Sequence, residues 1–193
     1  DRSRALGRAH SRLGQSGDWL NGEQRLAVVA EMRHSWDCDL CRLRKSQPSP
    51  YSLTGKHQTL GDLPVSWVDV IHRVVNDPGR LSERWFKEAL SSGLLEDEFV
   101  EIIIVCVQAI AIDIFSSAIG INLVPLPKVE KGYPPRNRPS EAKIGPGWVA
   151  TISPDDAFSD FSDFYSNESH FYIRRSMTLV KKGSRHLWDL FDH

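Results

Sequence analysis

Asp97-Glu98-Phe99-Val100-Glu101-Ile102-Ile103-Ile104-Val105-Cys106-Val107-Gln108-Ala109-Ile110-Ala111-Ile112-Asp113-Ile114-Phe115-Ser116-Ser117-Ala118-Ile119 decides the fold class of this chain. Ile102-Ile103-Ile104-Val105 alone would read as a buried strand. Length overrules that reading. The apolar pattern continues to Ile119 with no turn residue, and strands rarely exceed about ten residues. Glu96, Asp97 and Glu98 put negative charge at the start, where a helix dipole favours it, and Gly120 follows the end. A long helix over roughly 97–119 is therefore predicted. Its charge-free run, Ile102 to Ile112, is eleven residues long. Spanning a bilayer takes about 20, so a core helix and no membrane span are expected.

The segments around it show the same period. GEQRLAVVAEMRHSW, residues 22–36, puts Leu26, Val29 and Ala30 on one face, with Asn21-Gly22 as its start. Asp37 is expected to cap a new helix carrying the cysteines, which should stop before Pro48 and Pro50. Residues 51–64 read as a loop. VSWVDVIHRVVN, residues 65–76, has an apolar stripe of Trp67, Ile71, Val74 and Val75 and ends at Asp77-Pro78-Gly79. Ser82 is the expected cap of a helix over 83–92, closed by Gly93. Six of the eleven prolines fall between Val124 and Gly147, so an irregular connection is expected there. It should pack over the domain through Val124, Leu126, Ile144 and Trp148. Residues 153–169 suggest a short helix with the aromatic face Phe158, Phe161, Phe164 and Tyr165. Two further helical pieces, 170–182 and 184–192, are expected to break at Gly183. The expectation is an all-α chain: a helical domain over 1–123, then a proline-rich extension and C-terminal helical arm over 124–193.

The 193 residues suit one domain of moderate size or two small ones. Lys and Arg number 24 against 25 Asp and Glu, a formal charge of −1, so no pull toward nucleic acid or an anionic membrane is expected. The N-terminal DRSRALGRAHSRLG has no apolar run, so no signal peptide and a cytoplasmic location are expected.

Chemistry concentrates at Cys38-Asp39-Leu40-Cys41. Three cysteines do not make a secreted disulfide framework; a Cys-x-x-Cys in such a chain points to redox or metal chemistry. At i and i+3 on a helix the two sulfurs can reach each other. Asp37 and Asp39 oppose thiolate formation, while Arg42, Arg44 and Lys45 favour it. On an unbroken helix Glu31, His34, Cys38 and Cys41 would line one stripe, offering a proton relay beside a thiol. His57 and His72 could complete a weaker alternative, a zinc site of Cys38, Cys41, His57 and His72, although the spacing fits no zinc-finger pattern. Cys106 and Asp113 share a face of the long helix. Buried, Asp113 needs a partner, for which Arg73, Arg80 or a helix N-terminus could serve.

The order of these features resembles a known family. A helix leads into Cys-x-x-Cys, then come a loop and a helix ending Asp77-Pro78-Gly79. Leu81-Ser82-Glu83, Gly93-Leu94, Phe99-Val100-Glu101-Ile102 and Ala118-Ile119-Gly120-Ile121 follow. Over roughly residues 20–123 this is similar to the carboxymuconolactone decarboxylase and alkylhydroperoxidase D-like family. The resemblance implies an all-helical bundle of about six helices that oligomerises. It also implies a peroxidase whose cysteine pair reduces a small hydroperoxide, cycles through a disulfide and is regenerated by an external dithiol, with no cofactor. The family places a Glu about twelve residues before the first Cys and a His four after the second. Leu26 and Lys45 stand at those positions here. Glu31 is the substitute relay, as the only carboxylate upstream on the same predicted helix face. His72 is the second choice, because its helix should pack against the cysteine helix. The resemblance assigns the attack to Cys41, whereas helix-terminus reasoning favours Cys38. The alternative from another class is a helical interaction module that has kept the fold and lost the chemistry. Leu187, Trp188, Leu190 and Phe191 on the terminal helix, joined by Phe158, Phe161 and Phe164, favour a homo-oligomer, most simply a dimer; packing on its own domain is nearly as well supported.

Overall fold

A computed structural model describes residues 2–145, 147–157, 161–165 and 172–191. Among these the chain is mostly helical. α1 spans Arg2–Leu13, α2 Gly22–His34, α3 Asp39–Lys45, α4 Val65–Asn76, α5 Glu83–Ser91, α6 Glu96–Ala118, α7 Tyr172–Arg175 and α8 Lys181–Phe191. One antiparallel pair, β1 Lys143–Ile144 with β2 Ala150–Thr151, completes the regular structure.

α6 is the axis, and α1, α2, α4 and α8 pack around it. Val28, Val29, Met32, Val70, Ile71, Ile102, Ile104 and Val105 are fully buried where these helices meet. By length and composition α6 could cross a membrane, but 67% of its apolar window is buried inside the fold. Local signals set the ends. Asn21 accepts from the Gln24 backbone N–H, and the Gln24 side chain accepts from the Asn21 backbone N–H, a complete capping box on α2. Ser82 accepts from the Trp85 N–H at the start of α5.

The acids opening α6 do more than suit its dipole. Arg138 donates to Asp97 at 2.6 Å and to Glu96 at 2.5 Å, and the Ala150 N–H donates to Glu96. They anchor the segment after residue 124. That segment shares the main core through Ala150, Met177, Leu179, Val180 and Leu187. Of the residues expected to pack it down, Val124 lies against the core, while Leu126, Ile144 and Trp148 are exposed.

Several expectations need correction. α2 ends at His34 and a 3₁₀ turn, Ser35–Asp37, follows, so the cysteines do not continue its helix. Cys38, not Asp37, is the residue before α3. Asp113 pairs with neither Arg73 nor Arg80: Arg33 of the adjacent α2 grips it with two hydrogen bonds, 2.9 and 2.7 Å. Arg80 is committed to Asp77 and to the carbonyls of Gln47 and Arg44. Among the described residues of 153–169 there are two 3₁₀ turns, Pro154–Asp156 and Ser162–Tyr165, and no α-helix. Phe161 and Phe164 bury themselves with Ile152 in a satellite core, and Phe158 lies outside the described residues. Among the described residues 172–182, only Tyr172–Arg175 and the start of α8 are helical.

α8 begins at Lys181 and runs through Gly183 without a break. A Cβ on Gly183 would stand 2.8 Å from Val180 Cγ1, so the glycine makes room for that side chain at the start of α8. Leu187 is buried, and Asp189 receives Arg8 and Arg12 from α1. Of the terminal stripe, Leu187 is buried, Trp188 and Leu190 are half-buried against this chain's own core, and Phe191 is exposed.

His186 on α8 provides a pH test. Burial, with Arg12, Lys182 and Arg25 adding to it and Asp189 opposing, lowers its pKa from 6.5 to about 4. The unfolded chain then takes up the proton first. This residue's contribution therefore falls as pH drops below 6.5 and levels off below about 4. Urea melts of wild type and His186→Gln should diverge across that window, the variant showing the shallower loss; parallel curves would refute the assignment.

Candidate functional site

Three elements converge beside the main core. The turn after α2 delivers Cys38, α3 delivers Cys41, and α4 delivers His72. Residues 51–64, irregular in structure as expected, fold over them and deliver His57. Cys38 and Cys41 are 2% and 6% exposed and pack with Leu40 and Leu53 in a small cluster.

His57 Nδ1 lies 3.6 Å from Cys38 Sγ and 3.5 Å from Cys41 Sγ. His72 Nδ1 lies 3.4 Å from Cys41 Sγ. The imidazole rings tilt toward each other with centroids 4.3 Å apart. The two sulfurs and one nitrogen from each ring all fall within 4.8 Å of one another.

Each ring is held from behind by a carboxylate. His72 Nε2 is 2.8 Å from Glu31 Oε1, and His57 Nε2 is 3.0 Å from Asp69 Oδ1. An ionised carboxylate only accepts, so both Nε2 atoms carry protons, and each ring, when neutral, turns an Nδ1 lone pair toward the sulfurs. The carboxylates are fixed in turn. Glu31 Oε2 accepts from Thr59 Oγ1 and the Leu60 N–H, and Asp69 Oδ2 accepts from Trp85 Nε1 at 2.7 Å. Arg44, nearly buried, lies 3.7 Å from Asp69.

The two thiols differ electrostatically. Burial would push the Cys38 thiol up, but the Cys41 backbone N–H, His57 and the Gln58 backbone N–H outweigh it and hold it below its ordinary value. Burial, and then the nearby Cys38 sulfur, push Cys41 up to about 12. Burial lowers the pKa of His72 against the opposing pull of Glu31, which favours the neutral ring. Cys106 lies in the core of α6, fully buried and pushed up to about 12.

Cys38, Cys41, Glu31, His57 and His72 are therefore brought together, and half-buried His34 stays outside the cluster. Glu31 arrives by another route than the expected stripe: it reaches the cysteines through His72, not along a shared helix face. Asp69 and Trp85 went unread in the sequence. Asp69 lies three residues before His72 on α4, which places both on one helix face; that spacing was the available signal.

Comparison of the chain with protein-family models, with curated proteins and with solved structures found no match.

Proposed function

We propose that this chain is a thiol oxidoreductase that reduces small hydroperoxides through a Cys38/Cys41 dithiol–disulfide couple. The observation that carries the reading is the buried series Cys41 Sγ, His72 Nδ1, His72 Nε2 and Glu31 Oε1, with contacts of 3.4 and 2.8 Å, beside a second thiol of lowered pKa. The resemblance of residues 20–123 to the alkylhydroperoxidase D-like family supports the same direction. An inert module would leave two buried, carboxylate-backed histidines facing two thiols without a use.

The Cys38 thiolate attacks the distal peroxide oxygen, the O–O bond breaks, and the alkoxide leaves as an alcohol with the proton that Cys38 released on ionising, as Cys38 becomes a sulfenic acid. Cys41 then gives its proton to His72 Nδ1 and attacks Cys38 Sγ. The S–S bond forms, and hydroxide departs as water with that proton. Two thiols and one hydroperoxide thus yield one disulfide, one alcohol and one water. An external dithiol restores the pair by exchange. The burial of both sulfurs under residues 51–64 favours a small oxidant.

Metal-free, reduced chain treated with mild peroxide should lose two thiols and leave Cys106 unreacted. An unchanged thiol count would end the proposal. Glu31→Gln removes the charge that supports protonated His72, so disulfide closure should slow roughly tenfold or more. An unchanged rate removes Glu31 from the relay.

A further inference from the structure

We infer that Cys38, Cys41, His57 and His72 form a tetrahedral Cys₂His₂ site for a zinc-class divalent cation. This goes beyond the redox reading and does not depend on it.

The first argument is geometric. With Zn–S near 2.3 Å and Zn–N near 2.0–2.1 Å, a tetrahedral sulfur–nitrogen edge is about 3.5–3.6 Å. Three of the four sulfur–nitrogen edges measure 3.6, 3.5 and 3.4 Å, and all four donor atoms lie within 4.8 Å of each other.

The second argument counts protons. Both ring protons point outward to Asp69 and Glu31. With both rings neutral, two nitrogen lone pairs and two sulfurs face one small space, and His57 Nδ1 is nearly equidistant from both sulfurs. At most two S–H protons are available for three contacts. A cation at the centre satisfies all four donors together.

The third argument is the support behind the ligands. A metal-bound histidine characteristically donates its other ring N–H to a carboxylate or carbonyl, fixing tautomer and ring direction. Both histidines do so here, and Trp85, Thr59 and Leu60 fix the two carboxylates.

The donor set selects the ion. Two thiolates with two imidazoles suit zinc and disfavour magnesium and calcium, which seek oxygen. Two thiolates also cancel the charge of a divalent ion, which suits a buried site. Four protein ligands leave no open position, so the ion would not itself be a catalyst. It would bind the same two sulfurs that form the disulfide, so the two states exclude each other. Oxidation of the loaded site balances as zinc dithiolate plus hydroperoxide plus two protons giving disulfide, alcohol, water and free zinc ion.

The test is metal content of the intact chain, loaded with one equivalent of zinc and dialysed against a weak chelator. One zinc per chain is expected, and cobalt(II) in its place should show tetrahedral d–d and thiolate charge-transfer bands. His57→Gln, a change in the covering segment, should weaken binding about 100-fold, and Asp69→Asn about 10- to 100-fold. No retained zinc, an octahedral cobalt spectrum, or binding unaltered in both Cys38→Ser and His57→Gln would overturn the site. Should Cys38→Ser fail to fold, His57→Gln and the wild-type cobalt spectrum still decide. Zinc retained by a chain whose metal-free thiols ignore peroxide would sink only the oxidoreductase reading. Peroxide-reactive thiols in a chain that holds no zinc would sink only this one.

Discussion

Arg25→Ala should destabilise the chain by roughly 3–5 kcal/mol, the scale of breaking a buried ion pair by removing one partner. Arg25 and Glu101 are both buried, with Nη1 and Oε1 2.6 Å apart. Burial raises the pKa of Glu101, opposed by Arg25 and the Trp19 N–H. The Trp19 and Leu20 backbone N–H groups donate to its other oxygen at 2.6 and 3.3 Å. The connection between α1 and α2 is thereby wrapped around a charge in the middle of the core. A Cβ on Gly17 would stand 1.7 Å from Glu101 Oε1, so only glycine lets that connection pass. Without Arg25, a carboxylate remains buried and unpaired. For a chain of this size the melting temperature should fall by on the order of 10 °C. Glu101→Gln in the Arg25→Ala background should restore part of the loss, because the amide oxygen can still accept while the charge is gone. A single-variant cost below about 1 kcal/mol by urea titration would contradict the burial argument.

The second large effect is an asymmetry between the cysteines. Cys38→Ser should abolish peroxide consumption in metal-free chain. Cys41→Ser should still react once and stop, leaving a sulfenic acid on Cys38 that a dimedone probe can trap. The reason is the opposite direction of their pKa values, Cys38 lowered and Cys41 raised to about 12. His72→Ala should leave that first step intact and slow disulfide closure about 100-fold, the scale of losing a general base. Retained first-step reactivity in Cys38→Ser together with its loss in Cys41→Ser would reverse the assignment.

The helices were legible because their signals are local. The 3.6 period, Asn21-Gly22, Ser82 and Gly93 each act within a few residues, and α2 and α5 start where those residues place them. The site was half legible. Cys38 and Cys41 announce themselves by spacing, and Glu31, His57 and His72 were named, but how they meet depends on packing. The 3₁₀ turn at Ser35–Asp37 redirects the chain, so Glu31 approaches through His72. Asp113 shows the same limit. Its need for a cation follows from burial, yet the choice of Arg33 follows only from α2 lying against α6. The described part of 153–169 departs from the expected helix because short aromatic spacing does not separate a helix from successive 3₁₀ turns.

The segment over the cysteines has a kinetic consequence. Residues 51–64 contain no regular helix or strand, and Leu53 is the one hydrophobic side chain among them that packs on the cysteine cluster. Their hold on the site is polar: His57 on Asp69, Gln58 accepting from the Asp39 N–H, and Thr59 and Leu60 on Glu31. A cysteine that is 2% exposed, as Cys38 is, reacts only as often as this covering moves aside. Observed oxidation rates should therefore bend to a plateau as peroxide concentration rises, and that plateau is the opening frequency of the segment. Oxidants of different intrinsic reactivity should share it, and amide hydrogen exchange at Asp39 and Leu60, measured on resting chain with no oxidant present, should return the same number.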